Sequence, residues 1–352
     1  MKSKLAYIDH SFHQKTKSND FLRDILSKNF EIIDIWDDSW KGEKNLTVDF
    51  INSQSFDYVL FFQVLPSASE LKKIKAKLIW VPMYDDIVGF PWIFWKELSS
   101  MPIKIISFSN ALSKKLEKFR LDYFYIQYFL NPDNFPVSND SRKPIVFFWQ
   151  RRSYFNFNNF KKILAINDTE KVILKDDPDP ENNFINPSEE DIEKYNIEII
   201  SGDIGREKYL NILERCNVFV SPRKYEGIGI SFLEAMSMGM TVVAYDHPTM
   251  NEYIEHGETG YLFSSKISNI SQVDLCDLSK VGEKARIFCK EGYVIWNRDK
   301  NKIYDFIISK NKELVKNNFI IRCLIIIRKI VVYFIKKVIS IVNNDKNNNS
   351  KI

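Results

Sequence analysis

Between Val218 and Ala244 the chain runs through a short apolar strand, a loop holding Gly227 and Gly229, a helical stretch and a second apolar strand. A strand that feeds a helix through a glycine turn and returns to a strand is the repeating unit of a parallel α/β sheet. It also presents a helix N-terminus, whose unpaired N–H groups and dipole favour an anionic ligand. Within this unit Glu226 and Glu234 lie eight positions apart on either side of the turn. Carboxylates at those points accept hydrogen bonds from several hydroxyl groups, and the charged acceptor makes each bond stronger. A phosphate cradle with two such acceptors suits a sugar nucleotide. Ser231 and Glu234 also satisfy the S-x-x-E spacing of a capping box, a purely structural use of the same residues.

The same alternation fills most of the 352 residues. Leu5–Ile8, Glu31–Trp36, Tyr58–Phe62, Leu78–Val81, Ile103–Phe108 and Tyr123–Gln127 are apolar runs of strand length, with helical stretches at Phe21–Asn29, Glu70–Ala76 and Ala111–Arg120. The segment 131–144, with three prolines and many turn formers, reads as a domain boundary. A second series follows at Ile145–Phe148, Val172–Leu174, Glu198–Ile200, Val218–Val220, Thr241–Ala244 and Gly260–Phe263, with helices at Phe157–Ala165, Glu207–Arg215 and Ile230–Met238. Two Rossmann-like domains facing across a cleft are expected, with residues 1–135 on the acceptor side and 136–300 on the donor side. A crossover helix is expected over 301–316 and a tail over 317–352.

Net charge is +4, but it is unevenly held. Residues 310–352 carry ten Lys/Arg against Glu313 and Asp345, which leaves 40 Lys/Arg against 44 Asp/Glu in the rest. A mildly acidic body with a basic tail does not fit nucleic-acid binding, which needs cations spread over a folded face. The four cysteines form no CxxC pair, and the N-terminus enters a strand at once. Both point to a cytoplasmic chain.

The stretch from Ser221–Pro222 through Glu226–Gly227–Ile228–Gly229 and Glu234–Ala235–Met236 to Val242–Val243–Ala244 resembles the donor half of family 4 (group 1) retaining glycosyltransferases, the type that builds bacterial surface polysaccharides. Asn251–Glu252–Tyr253–Ile254 and Gly257–Glu258–Thr259–Gly260 resemble that family's next segment. The resemblance implies a GT-B fold and a nucleotide-sugar donor as co-substrate, with no resident cofactor or metal. It implies Glu226 near the donor sugar and Glu234 on the ribose, with Gly227, Ile228, Gly229 and Ile230 offering amides to sugar and diphosphate. Arg151 or Arg152 would touch the diphosphate, and Lys175 would share that charge. Gly202 and Ile204 would lie at the base. The family's glycine before the arginine is missing, and Phe157 stands near the place of its downstream lysine.

The N-terminal half departs further, with Asp9–His10–Ser11–Phe12–His13 where the family often has glycines. His10, and with it His13, is a candidate for facing the donor phosphates; Asp85 and Asp86 are candidate acceptor-side carboxylates. Asp177–Pro178–Asp179 forms a D-x-D that could hold a divalent ion, although its proline-rich, acidic surroundings read as a solvated loop. The function expected is transfer of a sugar, with retention, to a glycan or lipid-linked oligosaccharide. A nucleotide-sugar epimerase, or a non-catalytic membrane-docked scaffold binding nucleotide sugars, would use the same donor half.

Residues 319–342 are apolar but interrupted by five cations, which excludes a spanning helix. At 100° per residue Arg322, Lys329, Lys336 and Lys337 share about a 100° arc, with Arg328 outside it. A wide apolar face with a basic stripe suits an amphipathic helix lying on an anionic membrane surface through residues 317–342. The rival is a helix packed back on the N-terminal domain.

Overall fold

The computed structural model describes residues 2–39, 46–138, 143–163, 169–264, 277–332 and 334. The first sheet is built from β1 (Ser3–Asp9), β2 (Phe30–Trp36), β3 (Tyr58–Phe62), β4 (Lys77–Val81), β5 (Ile103–Ser107) and β6 (Asp122–Tyr125). The second is built from β7 (Ile145–Gln150), β8 (Lys171–Asp176), β9 (Ile197–Ser201), β10 (Val218–Val220), β11 (Thr241–Tyr245) and β12 (Tyr261–Phe263). Every pairing is parallel. Parallel sheets must be covered on both faces, which is why β3, β5 and β11 are buried end to end.

Strand order places the ligand crevices. The first sheet runs β2-β1-β3-β4-β5-β6 and the second β12-β11-β10-β7-β8-β9, the dinucleotide-fold order. The order reverses between β1 and β3 in one and between β7 and β10 in the other. Open α/β sheets bind ligands beyond the strand C-termini at such points. Asp9 ends β1 and His10 follows it, whereas Arg151 follows β7 and the Glu226 loop follows β10.

The helical expectations needed more revision than the strands. Glu70–Ala76 is a single turn, Ala68–Leu71, closed by a capping box between Ser67 and Glu70. Tyr84–Ile87, Trp92–Leu98, Val48–Ser53 and Glu189–Lys194 are short helices that the apolar pattern did not single out. The expected helix Phe157–Ala165 is described as Phe157–Ile163, its end lying outside the described residues. The same holds for positions 139–142 of the boundary segment.

The helix Leu278–Asp299 carries the chain back to the first sheet, where Trp296 packs on Phe21, Phe108 and Tyr128. A second helix follows at Lys302–Ile308 and stops there, short of the expected 316. Beyond it the backbone hydrogen-bonds to the first half instead of to itself. Lys312 N–H donates to Asp122 (3.0 Å) and Val315 N–H to the Ser99 carbonyl (3.1 Å).

One carboxylate fastens the two halves. Glu252, from the second half, accepts from Ser109 Oγ (2.9 Å) and from the Asn110 and Ala111 amides (2.7 and 2.8 Å), which open the helix Asn110–Lys118. Beside it Gln127 Nε2 donates to the Glu252 carbonyl (2.9 Å), and Tyr253 OH to the Tyr128 carbonyl (3.0 Å). Glu252→Ala should strip a helix start of an anion holding three donors. It is expected to destabilise the chain by about 2 kcal/mol, read as a lower thermal midpoint, whereas an unchanged midpoint would remove the clasp role.

Candidate active site

Downstream of β10 the backbone turns through Gly229, which has φ +78° and caps the helix Ile230–Ser237. That left-handed conformation favours glycine. No side chain caps this helix start, and Ser231 lies inside the helix, so the capping-box alternative is overturned. Gly227 meets the other half of the molecule: a Cβ there would stand 2.8 Å from Met83, just past β4. Ile228 is buried, and Ile230 begins the helix half-buried.

Glu226 and Glu234 are both buried. Glu234 receives Arg206 Nη1 at 2.6 Å from the helix Arg206–Glu214, yet burial pushes its carboxyl up to about 7 against that cation. Burial also raises the pKa of Glu226, with Asp85 adding to the rise and Arg223 opposing it. Gly202 has φ +74° and accepts from Lys175 Nζ at 3.1 Å, while Ile204 is half-buried beside it.

Three arginines converge on Asp179. Arg151 Nη2 and Nε lie 2.6 and 2.8 Å from its Oδ1, and Arg152 Nε 3.0 Å from Oδ2. Arg223 Nη2 and Nε lie 2.7 and 3.1 Å from that same Oδ2. Burial would raise the Asp179 carboxyl, but Arg151 and Arg223 bring it below its ordinary value. The D-x-D loop is therefore not a solvated one at this position, since Asp179 is only 9% exposed. Both of its carboxylates are matched by cations, Asp177 by Lys175 Nζ at 2.7 Å. Lys175 thus bonds Asp177 and Gly202, and it shares the Trp149 ring with Arg151.

Arg223 also joins the two halves. Its Nη1 lies 3.5 Å from Asp85 and 3.8 Å from Glu226. Asp85 and Asp86 sit in the first turn of Tyr84–Ile87. Burial and the neighbouring Asp86 push the Asp85 carboxyl up to about 6 against the pull of Arg223. Asp86 accepts from Gln63 Nε2 (3.0 Å), and Gln63 Oε1 meets His10 Nε2 (2.8 Å). An amide oxygen only accepts, so His10 carries its proton on Nε2. Burial and the adjacent His13 lower the His10 pKa and favour the neutral ring.

The His10 and His13 rings are 4.0 Å apart, and His13 Nδ1 lies 2.7 Å from Asp9. Ligand atoms of these three residues fall within 4.8 Å of one another. Asp9, however, already receives the His10 amide, His13, Asn19 and Arg23. That donor set suits an internal network around a buried carboxylate. Lys15 reaches Asp203 across the cleft at 2.6 Å, both side chains largely exposed.

The fold thus gathers Glu226, Asp85, Arg151 and Arg152 around Arg223, and links Asp86 to His10 through Gln63. Arg206 ties Glu234 to the segment that follows Gly202 and Ile204. Arg223, Gln63 and Arg206 were not singled out from the sequence, and Asp179 only as half of a D-x-D. Only Arg223 had a visible signal, its place between Pro222 and Glu226.

Glu234 sets a pH dependence. In the unliganded chain it keeps a proton to about pH 7, whereas an unfolded glutamate releases it near 4.3. The folded state then binds more protons between those values, so this contribution to stability falls as pH rises through that window. Glu234→Gln should flatten that limb of the stability profile, as measured by thermal unfolding between pH 4.5 and 8. An unaltered profile would show that Glu234 titrates normally.

Residues 138–279 match the family model described as Glycosyl transferases group 1. Over 103 residues the chain is 28% identical to sucrose synthase from Melioribacter roseus, which is 28% of this chain and 12% of that protein. The chain therefore spans about an eighth of the curated relative it matches. Among solved structures, the glycosyltransferase from Rickettsia africae has a TM-score of 0.60 at 17% identity, covering 88% of this chain and all of that one. The sucrose-phosphate synthase from Thermosynechococcus elongatus gives 0.59 at 12%, covering 86% of this chain and 100% of its own. HepE from Anabaena, in complex with UDP and glucose, gives 0.55 at 11%, again over 86% of this chain and 100% of its own. At these identities the likeness is one of fold. Residues 138–279 carry a group 1 glycosyl transferase domain, and the chain has the GT-B architecture of two Rossmann-like domains.

Proposed function

We propose that this chain is a glycosyltransferase that moves a sugar from a nucleotide-sugar donor to a glycan acceptor, with retention of anomeric configuration. The observation that carries this reading is a pair of buried glutamates about one glycine turn, Glu226 just before it beside Arg223, and Glu234 in the helix that the turn starts, with Arg151 and Arg152 meeting Arg223 at Asp179. In it, Glu234 receives the ribose hydroxyls after releasing Arg206, and Glu226 holds hydroxyls of the donor sugar. The amides of Gly227 to Ile230 and the arginines take the diphosphate. Gly202 and Ile204 line the base. The HepE structure bears UDP and glucose in a chain of the same fold, which supports a donor of this class.

Transfer with retention asks for no strong protein base, because the departing phosphate can take the acceptor proton on the same face. The arginines and the helix start then stabilise charge on the leaving group, and closure positions the acceptor. Asp85 and Asp86, with His10 behind Gln63, border the acceptor side of the cleft. Glu226→Ala and Glu234→Ala are expected to lower donor turnover at least a hundredfold, with thermal midpoints near the parent's. Undiminished transfer by both variants would sink this assignment.

We further read the acceptor as a lipid-linked glycan met at the inner membrane surface. Among the described residues no helix is long and apolar enough to cross a membrane. Residues 319–332 form a helix lying against Trp92–Leu98, where Lys329 Nζ is 2.7 Å and Arg328 Nη1 3.4 Å from the buried Glu97. Those two cations face the protein, so the expected outward basic stripe does not run through Lys329; Lys336 and Lys337 lie outside the described residues. What faces out is apolar: Phe319, Ile320, Ile326, Ile327, Ile330 and Phe334 are each more than half exposed. An apolar face of this kind, on a helix pinned to the body by Glu97, suits the headgroup boundary of an anionic bilayer. The chain without residues 317–352 should stay in the supernatant when spun with phosphatidylglycerol vesicles that sediment the full chain; equal sedimentation would refute the docking.

A further inference from the structure

At close range the three guanidinium groups share a single carboxylate, Asp179. Asp179 supplies one full contact to each of three guanidinium groups. The remaining acids near Arg223 stand further off, at 3.5 Å for Asp85 and 3.8 Å for Glu226, and burial raises the proton affinity of both. Lys175 adds no compensation and makes no demand, since it is matched by Asp177. Bringing three cations to one point in a half-buried site is costly unless an anion is there. The arginines come from separate segments, after β7 and after β10, and meet where the strand order reverses.

We infer that Arg223 is a third ligand of the donor diphosphate, and that the Asp179 carboxylate stands in for that diphosphate until the donor arrives. This rests on the nucleotide-sugar reading above and goes beyond it by assigning two residues to opposed roles. A carboxylate with five nitrogens of Arg151, Arg152 and Arg223 within 3.1 Å presents the same kind of acceptor pattern as a phosphate group. It keeps the three forks converged at no gain in net negative charge beyond one. A diphosphate brings more charge and more acceptor oxygens to the same N–H groups, and so displaces it.

The backbone around Asp179 is arranged for the side chain alone to move. Asp179 N–H donates to the Arg151 carbonyl (2.9 Å) and Asn182 N–H to the Asp179 carbonyl (3.1 Å). Asn183 N–H donates to Ser153 Oγ (2.8 Å), and Ser153 N–H to Asn182 Oδ1 (3.2 Å). The loop therefore stays on the end of β7 while the carboxylate swings aside. Donor affinity is set by the difference between two anions competing for one cationic site.

The test is calorimetric titration of the parent chain with UDP, ADP and GDP, and of Asp179→Asn and Arg223→Gln with whichever binds most tightly, with the matching nucleoside as control. Asp179→Asn, which keeps shape and removes the competing charge, should bind the nucleoside diphosphate five- to tenfold more tightly. Arg223→Gln should bind it at least tenfold more weakly, and the nucleoside should be unaffected by either change. If Arg223→Gln does not fold, Arg223→Lys should still weaken the diphosphate at least threefold by losing the fork. Weaker diphosphate binding by Asp179→Asn would make Asp179 an organiser and overturn the inference. Unchanged binding by the Arg223 variants would overturn it equally. If the parent chain binds none of the three diphosphates, the nucleotide-sugar reading itself falls and takes the inference with it, an outcome distinct from the other two.

Discussion

The contact on which the rest of the architecture depends is that between Glu252 and the start of the helix Asn110–Lys118. Each sheet could bury its own core, but neither alone has a cleft. A helix start left open at the domain junction would expose amides that want an anion. Glu252 satisfies them from the other side, and the adjoining tyrosine and glutamine contacts fix the approach. With that junction set, the crevice of one sheet opens toward the crevice of the other. Arg223 can then reach Asp85, and Lys15 can reach Asp203.

The fold was open to reading because its strands are parallel and covered on both faces. Such strands appear as uninterrupted apolar runs, and the runs at Tyr58–Phe62 and Thr241–Ala244 coincide closely with β3 and β11. Short helices were harder. Trp92–Leu98 is dense in aromatics and only seven residues long, so no periodicity had room to develop. The segment after Ile308 was expected to continue as helix, yet its amides are claimed by Asp122 and Ser99, partners about 190 and 216 positions away. Nothing local announces such a bond.

The site divides along the same line. Glu226 and Glu234 belong to one continuous stretch, so their spacing carried meaning before any coordinates. Asp179 lay in a run of acids and prolines with the composition of a surface loop, and only folding brings three arginines to it. Gln63 is likewise unremarkable in sequence. Its place at the C-terminal end of β3, with φ +59°, aims its amide between Asp86 and His10. Residues defined by a long-range partner stay silent in a single sequence; those defined by local backbone geometry do not.

The contact of Met83 with Gly227 has a mechanical meaning. The glycine turn faces Met83 of the first half and has no room for even one more carbon there. The turn is thus both a ligand surface and a bumper: approach of the two domains ends when backbone meets thioether. Such a limit is set by repulsion between atoms, which salt does not screen, whereas the Lys15–Asp203 bridge at the cleft's exposed rim is weakened by salt. Ionic strength can therefore alter how often the cleft is shut while leaving the shut geometry the same.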